Sequence, residues 1–223
     1  MLKIIEDING LFWGNILIVL LVGTGIFFTL KLKFIQVREF KIGIKHLIKG
    51  FDLNGEKADN RGMSSFQALA TAIAAQVGTG NLAGAATAIV SGGPGAIFWM
   101  WISAFFGMAT IYAEAVLGQL FKKDVNGTIV GGPSYYIEKL FNGNKLAKAM
   151  AVFFSISCIL ALGFMGNAVQ SNSIGEALEN SFKILTIVTG LVISVLGGFV
   201  FFGGVKRIAS VTEKVVPIMA GLY

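Results

Sequence analysis

Four stretches of this 223-residue chain carry no acidic or basic side chain: residues 62–113, 149–175, 184–205 and 8–30, which are 52, 27, 22 and 23 residues long. A bilayer core about 30 Å thick is crossed by roughly 20 apolar residues at about 1.5 Å each. The four stretches therefore hold five spans, and a sixth begins near Ile208. In lipid every backbone polar group must be bonded internally, so each span is read as a helix. With 55% hydrophobic and 13% charged residues and a mean hydropathy of +0.75, the chain falls outside the soluble globular range. The fold class expected is an all-α polytopic membrane protein.

Where the charges fall sets an orientation. Of 18 Lys and Arg, eight lie in residues 31–62, five in 122–148 and three in 206–214, leaving only Lys3 and Lys183. Alternating spans place the three basic segments on one side, which the positive-inside rule makes cytoplasmic, with the N-terminus external. The net charge of +6 follows the loops of a membrane protein, and nucleic acid is not the expected partner. The first span, about Ile8 to Leu30, has Lys3, Glu6 and Asp7 in its leader and no small-x-small cleavage site, so it reads as a retained anchor.

The most polar stretch follows that anchor. Phe40, Ile44, Leu47, Ile48 and Phe51 recur at helical spacing, with Arg38, Lys41, Lys45 and Lys49 largely on the other face. This is the pattern of a helix lying on the anionic inner leaflet. The lone histidine, His46, and the lone cysteine, Cys158, have no partners with which to build a zinc site or an intramolecular disulfide. No G-x-S-x-G, GKS or GKT string and no Cys/His cluster is present, so an enzyme is not expected.

The stretch "AQVGTGNLAGAATAIVSGGPG", residues 75–95, admits two readings. Its glycines resemble a dinucleotide loop, but no acid follows before Glu114 to hold a ribose. Close helix packing through small residues would account for "GNLAGAATA" alone. Gln76, Thr79 and Asn81 nevertheless cluster with Gly78 and Gly80 at mid-depth, as a discontinuous transporter helix requires. Unwinding there frees N–H groups at the start of the outer half-helix, which suit a carboxylate, and carbonyls ending the inner half, which suit a sodium ion.

"QVGTGNLAGAATAIVSGGPGAIFWMW", "GMATIYAEAVLGQ" and "GGPSYYI" together resemble the alanine or glycine:cation symporter family, the sodium:alanine symporters. The resemblance runs along the whole chain and is densest from Gln76 to Ile137. It implies a LeuT-like fold of two inverted five-helix repeats. Residues 1–31 would be a peripheral transmembrane helix, 32–62 a cytoplasmic amphipathic segment, and 63–223 the first repeat. It further implies sodium-coupled uptake of a small neutral amino acid, alanine or glycine, across a prokaryotic cytoplasmic membrane, with no organic cofactor. By this similarity Thr79, Gly80 and Gln170 contact the substrate. Carbonyls of Ala74 and Val77, with Asn81, bind sodium, and no other metal is implied. Ile111 stands where the family's "GMATK" string has lysine, which removes a local salt bridge.

Glu114 is the carboxylate inside an apolar span, about two turns from Lys122. An intramembrane acid is costly and usually functional. The resemblance has it hydrogen-bonding the unwound backbone and so supporting the break beside Gly78; a Glu snorkelling to the cytoplasmic edge is the plainer alternative. The last span reaches Tyr223 with no polar exit signal, which reads as truncation. The alternatives to a symporter are therefore an inactive half-transporter or assembly subunit, awaiting a second helical repeat, and a LeuT-like carrier of another small solute.

Overall fold

The computed structural model describes residues 2–50, 63–125 and 128–222. Helices dominate it. The first long rod is α1 (Leu2–Leu11), a π-helical segment (Phe12–Ile16) and α2 (Leu17–Lys31), kinked at Gly14 where φ and ψ are −83° and −120°. Short α3 (Ile35–Arg38) leads into α4 (Phe40–Gly50). Phe40 and Ile44 of α4 are exposed. Phe51 lies outside the described residues, and α4 is described only in part at its end.

Then come α5 (Ser65–Gln76), α6 (Thr79–Gly92), α7 (Gly95–Leu120) and α8 (Pro133–Leu140). Between α7 and α8 the loop is not purely irregular. Strands β1 (Lys123–Val125) and β2 (Thr128–Val130) pair antiparallel, with Lys123 opposite Val130. One small hairpin interrupts an otherwise helical chain, which is consistent with the expected all-α membrane protein. α9 (Lys145–Cys158), a second π segment (Ile159–Gly166) and α10 (Asn167–Phe182) make one 38-residue rod, and α11 (Thr186–Phe201) and α12 (Gly204–Leu222) end the chain.

Among the described residues, three helical rods are long and apolar enough to cross a membrane: Lys3–Lys31, Gly95–Leu120 and Lys145–Phe182. Two bent pairs bring the number to five: α5 with α6, bent 48°, and α11 with α12, bent 119°. The six spans expected from sequence differ only by counting α11 and α12 separately. The Lys145–Phe182 rod overshoots a bilayer, since 38 residues extend roughly 57 Å at 1.5 Å each. Its last part, Asn167–Phe182, is accordingly polar.

Capping and punctuation residues explain the boundaries. Ser64 accepts from Gln67 N–H while the Gln67 side chain accepts from Ser64 N–H, a capping box that starts α5. Asn144 accepts from Ala147 N–H at 2.7 Å and starts α9. Gly93, at φ 72°, ends α6 and Pro94 precedes α7.

Packing is inverted relative to a soluble protein. Among the described residues, five of the seven buried apolar residues are alanines: Ala70, Ala109, Ala147, Ala151 and Ala209. Large side chains such as Phe153, Leu162 and Ile187 point outward. Small residues let helix backbones approach, where lipid leaves no hydrophobic drive for large ones to turn inward. At the α2–α7 crossing an added Cβ on Gly25 would lie 2.8 Å from Phe106 Cβ, so only glycine fits. Gln36 locks the same crossing, donating to Thr29 Oγ1 at 2.9 Å and to the Phe105 carbonyl at 3.2 Å. Such a surface, apolar outside and small-residue inside, defines an integral membrane protein.

Candidate functional site

The helical ladder of α5 ends with Val77 N–H donating to the Ile73 carbonyl at 2.8 Å. Val77 (φ −94°, ψ 117°) and Gly78 (φ −152°, ψ −175°) are extended. Bonding resumes when Asn81 N–H donates to the Gly78 carbonyl at 3.0 Å. The discontinuity expected between Gln76 and Asn81 thus falls at Val77–Gly78.

Its chemical consequence follows from helix geometry. The carbonyls of Ala74 to Val77 lose the amides four residues on, and among the described residues no backbone N–H replaces them. The first N–H groups of α6, those of Thr79 and Gly80, lie at the positive end of its dipole. A ligand with a carboxylate and a neighbouring hard cation would satisfy both sets.

Gly78 is small for a reason its torsions do not supply, because its extended conformation is open to any residue. A Cβ there would sit 3.3 Å from the Gln170 carboxamide carbon, nitrogen and oxygen. The Gln170 head is therefore seated against the break, carried by α10 just beyond the π segment. Among the described residues it makes no hydrogen bond, and Gln170 is solvent-accessible. Of the residues expected at the site, Gln170 is brought to Gly78, next in sequence to Val77 and Thr79, whereas a Cβ added at Gly80 would meet nothing within 4 Å. Thr79 is half-buried; Gly80 and Asn81 are exposed, and the Asn81 side chain is not tied into the break.

Glu114 stands differently. It is exposed on α7, and among the described residues no hydrogen bond joins it to Val77–Gly78. The group that feels its charge is Tyr136 of α8, whose phenol is held above its ordinary pKa by burial first and by Glu114 second. Sequence reasoning did not pick out Tyr136, although it sits in "GGPSYYI".

A cation at the break would be held by backbone and hydroxyl oxygens, since among the described residues no cluster of three His, Cys, Asp or Glu forms a metal site. Two concavities, of about 390 and 490 Å³, lie along α3–α4 against α7 and between α2 and α7. Neither touches the break. The break is a candidate site by its unpaired polar groups and not by a cavity.

A rod-rich membrane protein with an interrupted helix and unpaired groups at the interruption has the architecture of a transporter. Its whole length, residues 1–223, matches the sodium:alanine symporter family. A sodium/alanine symporter of Methanococcus maripaludis is 43% identical over 222 residues, covering 99% of this chain and 48% of the relative. A putative sodium/proton-dependent alanine carrier of Bacillus subtilis is 43% identical over 220 residues, 99% of this chain and 43% of the relative. A probable sodium/glutamine symporter of the same organism is 44% identical over 228 residues, covering all of this chain and 46% of its own. The chain belongs to the sodium:alanine symporter family, which is a family of transporters and not of enzymes. It spans a little under half the length of these relatives.

Proposed function

We propose that this chain forms the first half of a LeuT-like core that imports a small neutral amino acid together with sodium. One observation carries the reading: the Val77–Gly78 interruption presents unpaired carbonyls on one side, helix N–H groups on the other, and the free Gln170 amide against it. In this reading the substrate carboxylate meets the Thr79 and Gly80 end of α6, and Gln170 reaches the substrate from α10. Sodium is held by the Ala74 and Val77 carbonyls, with Asn81 as a further oxygen donor. Residues 1–31 are a peripheral helix, 32–62 a cytoplasmic segment, and 63–223 the repeat. A second repeat completes the pocket.

Alanine and glycine fit a site lined by glycine and threonine. The relative named for glutamine supports a second reading, a larger neutral amino acid on the same site. The test is radiolabelled alanine uptake by the intact gene product in liposomes, with and without a sodium gradient, and with glycine, serine and glutamine as competitors. Sodium-driven, saturable alanine uptake is expected, and glutamine competing better than alanine would establish the second reading. Uptake without sodium would overturn the coupling. For orientation, cysteines replacing Lys41 and Lys123 in a Cys158→Ser background should react from the cytoplasmic side only, and labelling of both from outside would invert the N-terminus.

A further inference from the structure

The two halves of the interrupted helix keep different company. α5 packs on α12 and touches α4, whereas α6 packs on α7 and approaches α10. The α5–α12 seam is closed by small and branched side chains, with Ala70 and Ala209 each 2% exposed and Val216 5%. Two polar ties reinforce it. Gln67 Nε2 donates to a Glu213 carboxylate oxygen at 2.9 Å, and the hydroxyls of Thr71 and Thr212 are 3.1 Å apart. Gln67 does double duty, because its Oε1 also accepts from Ser64 N–H at 3.2 Å in the cap of α5. One side chain thus fixes both the start of the inner half-helix and its attachment to α12. From Gln67 to the break the helix is a lever roughly 15 Å long.

We propose that α5 and α12 move as one unit about Val77–Gly78, latched by Gln67–Glu213 and Thr71–Thr212, so that the seam governs access to the site from the Ser64 end of α5. This deepens the proposed function and rests on the break being the transport site. Helix pairs with packed small-residue seams slide little, while an interrupted backbone with two extended residues turns readily. A hydrogen bond to a carboxylate at the far end of the lever adds the strongest single tie. Gln67 and Glu213 act through α5 and are positioning residues, not ligands.

The cap and the latch can be separated. Gln67→Glu keeps an acceptor for Ser64 N–H, so the capping box survives, but it removes the donor and opposes two carboxylates. Adding Glu213→Gln supplies the donor from the other side and restores the pair. The experiment uses the intact gene product in liposomes, in a Cys158→Ser background with Thr71→Cys and Thr212→Cys. Their hydroxyl oxygens lie 3.1 Å apart, so sulfur atoms there are near bonding reach.

Oxidation should form the disulfide and leave sodium-dependent alanine uptake within about twofold of the reduced protein, as a rigid unit requires. Uptake abolished by oxidation and restored by dithiothreitol would mean that α5 leaves α12 during the cycle, which overturns the proposal. Gln67→Glu should slow disulfide formation about tenfold, and the Gln67→Glu/Glu213→Gln pair should recover it, as for loss and return of a hydrogen bond to a charged group. A formation rate indifferent to both changes would overturn the latch. Equilibrium binding of labelled alanine in sodium, measured on the reduced protein, keeps the two readings apart: absent binding defeats the transport site, while the disulfide rates still judge the latch.

Discussion

The chain breaks two of its helix pairs, and the two breaks are built in opposite ways. Between α11 and α12 the turn is 119°, sharper than the 48° between α5 and α6. Yet the sharper one repairs itself. Gly204 takes a φ of 69°, Arg207 Nη1 donates to the Phe199 carbonyl at 3.0 Å, and its guanidinium lies 4.8 Å from the Phe199 ring centroid. A cation thus caps the negative end of α11. At Val77–Gly78, among the described residues, no side chain does this, and the carbonyls of Ala74 to Val77 are left open. A break marks a ligand site when its freed groups are left for something other than the protein to satisfy. The angle alone does not distinguish the two.

The largest effect that separates them is expected from valine at the two glycines. Gly78→Val drives a branched side chain into the Gln170 head, whose atoms already lie 3.3 Å from an added Cβ. Alanine binding should fall by about 100-fold or more, as when a binding group is displaced by more than an ångström. At Gly203 an added Cβ meets the flexible Arg207 side chain, so Gly203→Val should lower thermal stability and leave alanine affinity alone. Equal affinity losses at both glycines, read by isothermal titration, would erase the distinction.

Thr79→Val comes next. It preserves shape and removes one hydroxyl, so the alanine concentration needed for half-maximal uptake should rise about tenfold, the worth of one hydrogen bond. Expression should be unchanged. Uptake kinetics identical to the parent would remove Thr79 from the site while sparing the backbone groups around it.

Smaller still is Arg207→Met, which keeps the stem and deletes the cap. The cost should be about 1 kcal/mol of stability, in line with a charge at a helix end. Affinity for alanine should not move. A shift in affinity would show that the second break is coupled to the first through α12 and α5, and would tighten the link between Glu213 and the site.

What the sequence made legible follows from how far each property reaches along the chain. The interruption was readable because Gln76, Thr79 and Asn81 are costly inside lipid and Gly78 and Gly80 weaken a helix, both local facts. The number of spans followed from charge-free runs, although the Lys145–Phe182 rod passes the ends of its 27-residue run. The seating of Gln170 against Gly78 was implied only by resemblance, since residues 92 positions apart share no local pattern. The Gln67–Glu213 tie was missed for the same reason, although Ser64 and Gln67 carry a readable capping signature. The β1–β2 hairpin lies between spans, where hydropathy carries no information, and its three-residue strands are too short to show alternation.

The gentlest perturbation concerns the other end of α7, where Glu114 faces Tyr136 instead of bonding the break. A carboxylate beside a phenol disfavours the phenolate, because ionising it would place two negative charges together; burial disfavours it further. Glu114→Gln removes the smaller of these two causes. The Tyr136 pKa should therefore fall toward the ordinary tyrosine value but stay above it, since desolvation by α7 and α8 persists. Ultraviolet titration of the phenolate against a Tyr136→Phe control reads this directly. If Glu114 also supports the Val77–Gly78 backbone in the complete core, the same variant will slow alanine uptake more than it lowers membrane insertion. Wild-type uptake with a lowered Tyr136 pKa would assign Glu114 to the α7–α8 contact alone, and the interruption would then be held by Gly78 and Gln170 without an acid.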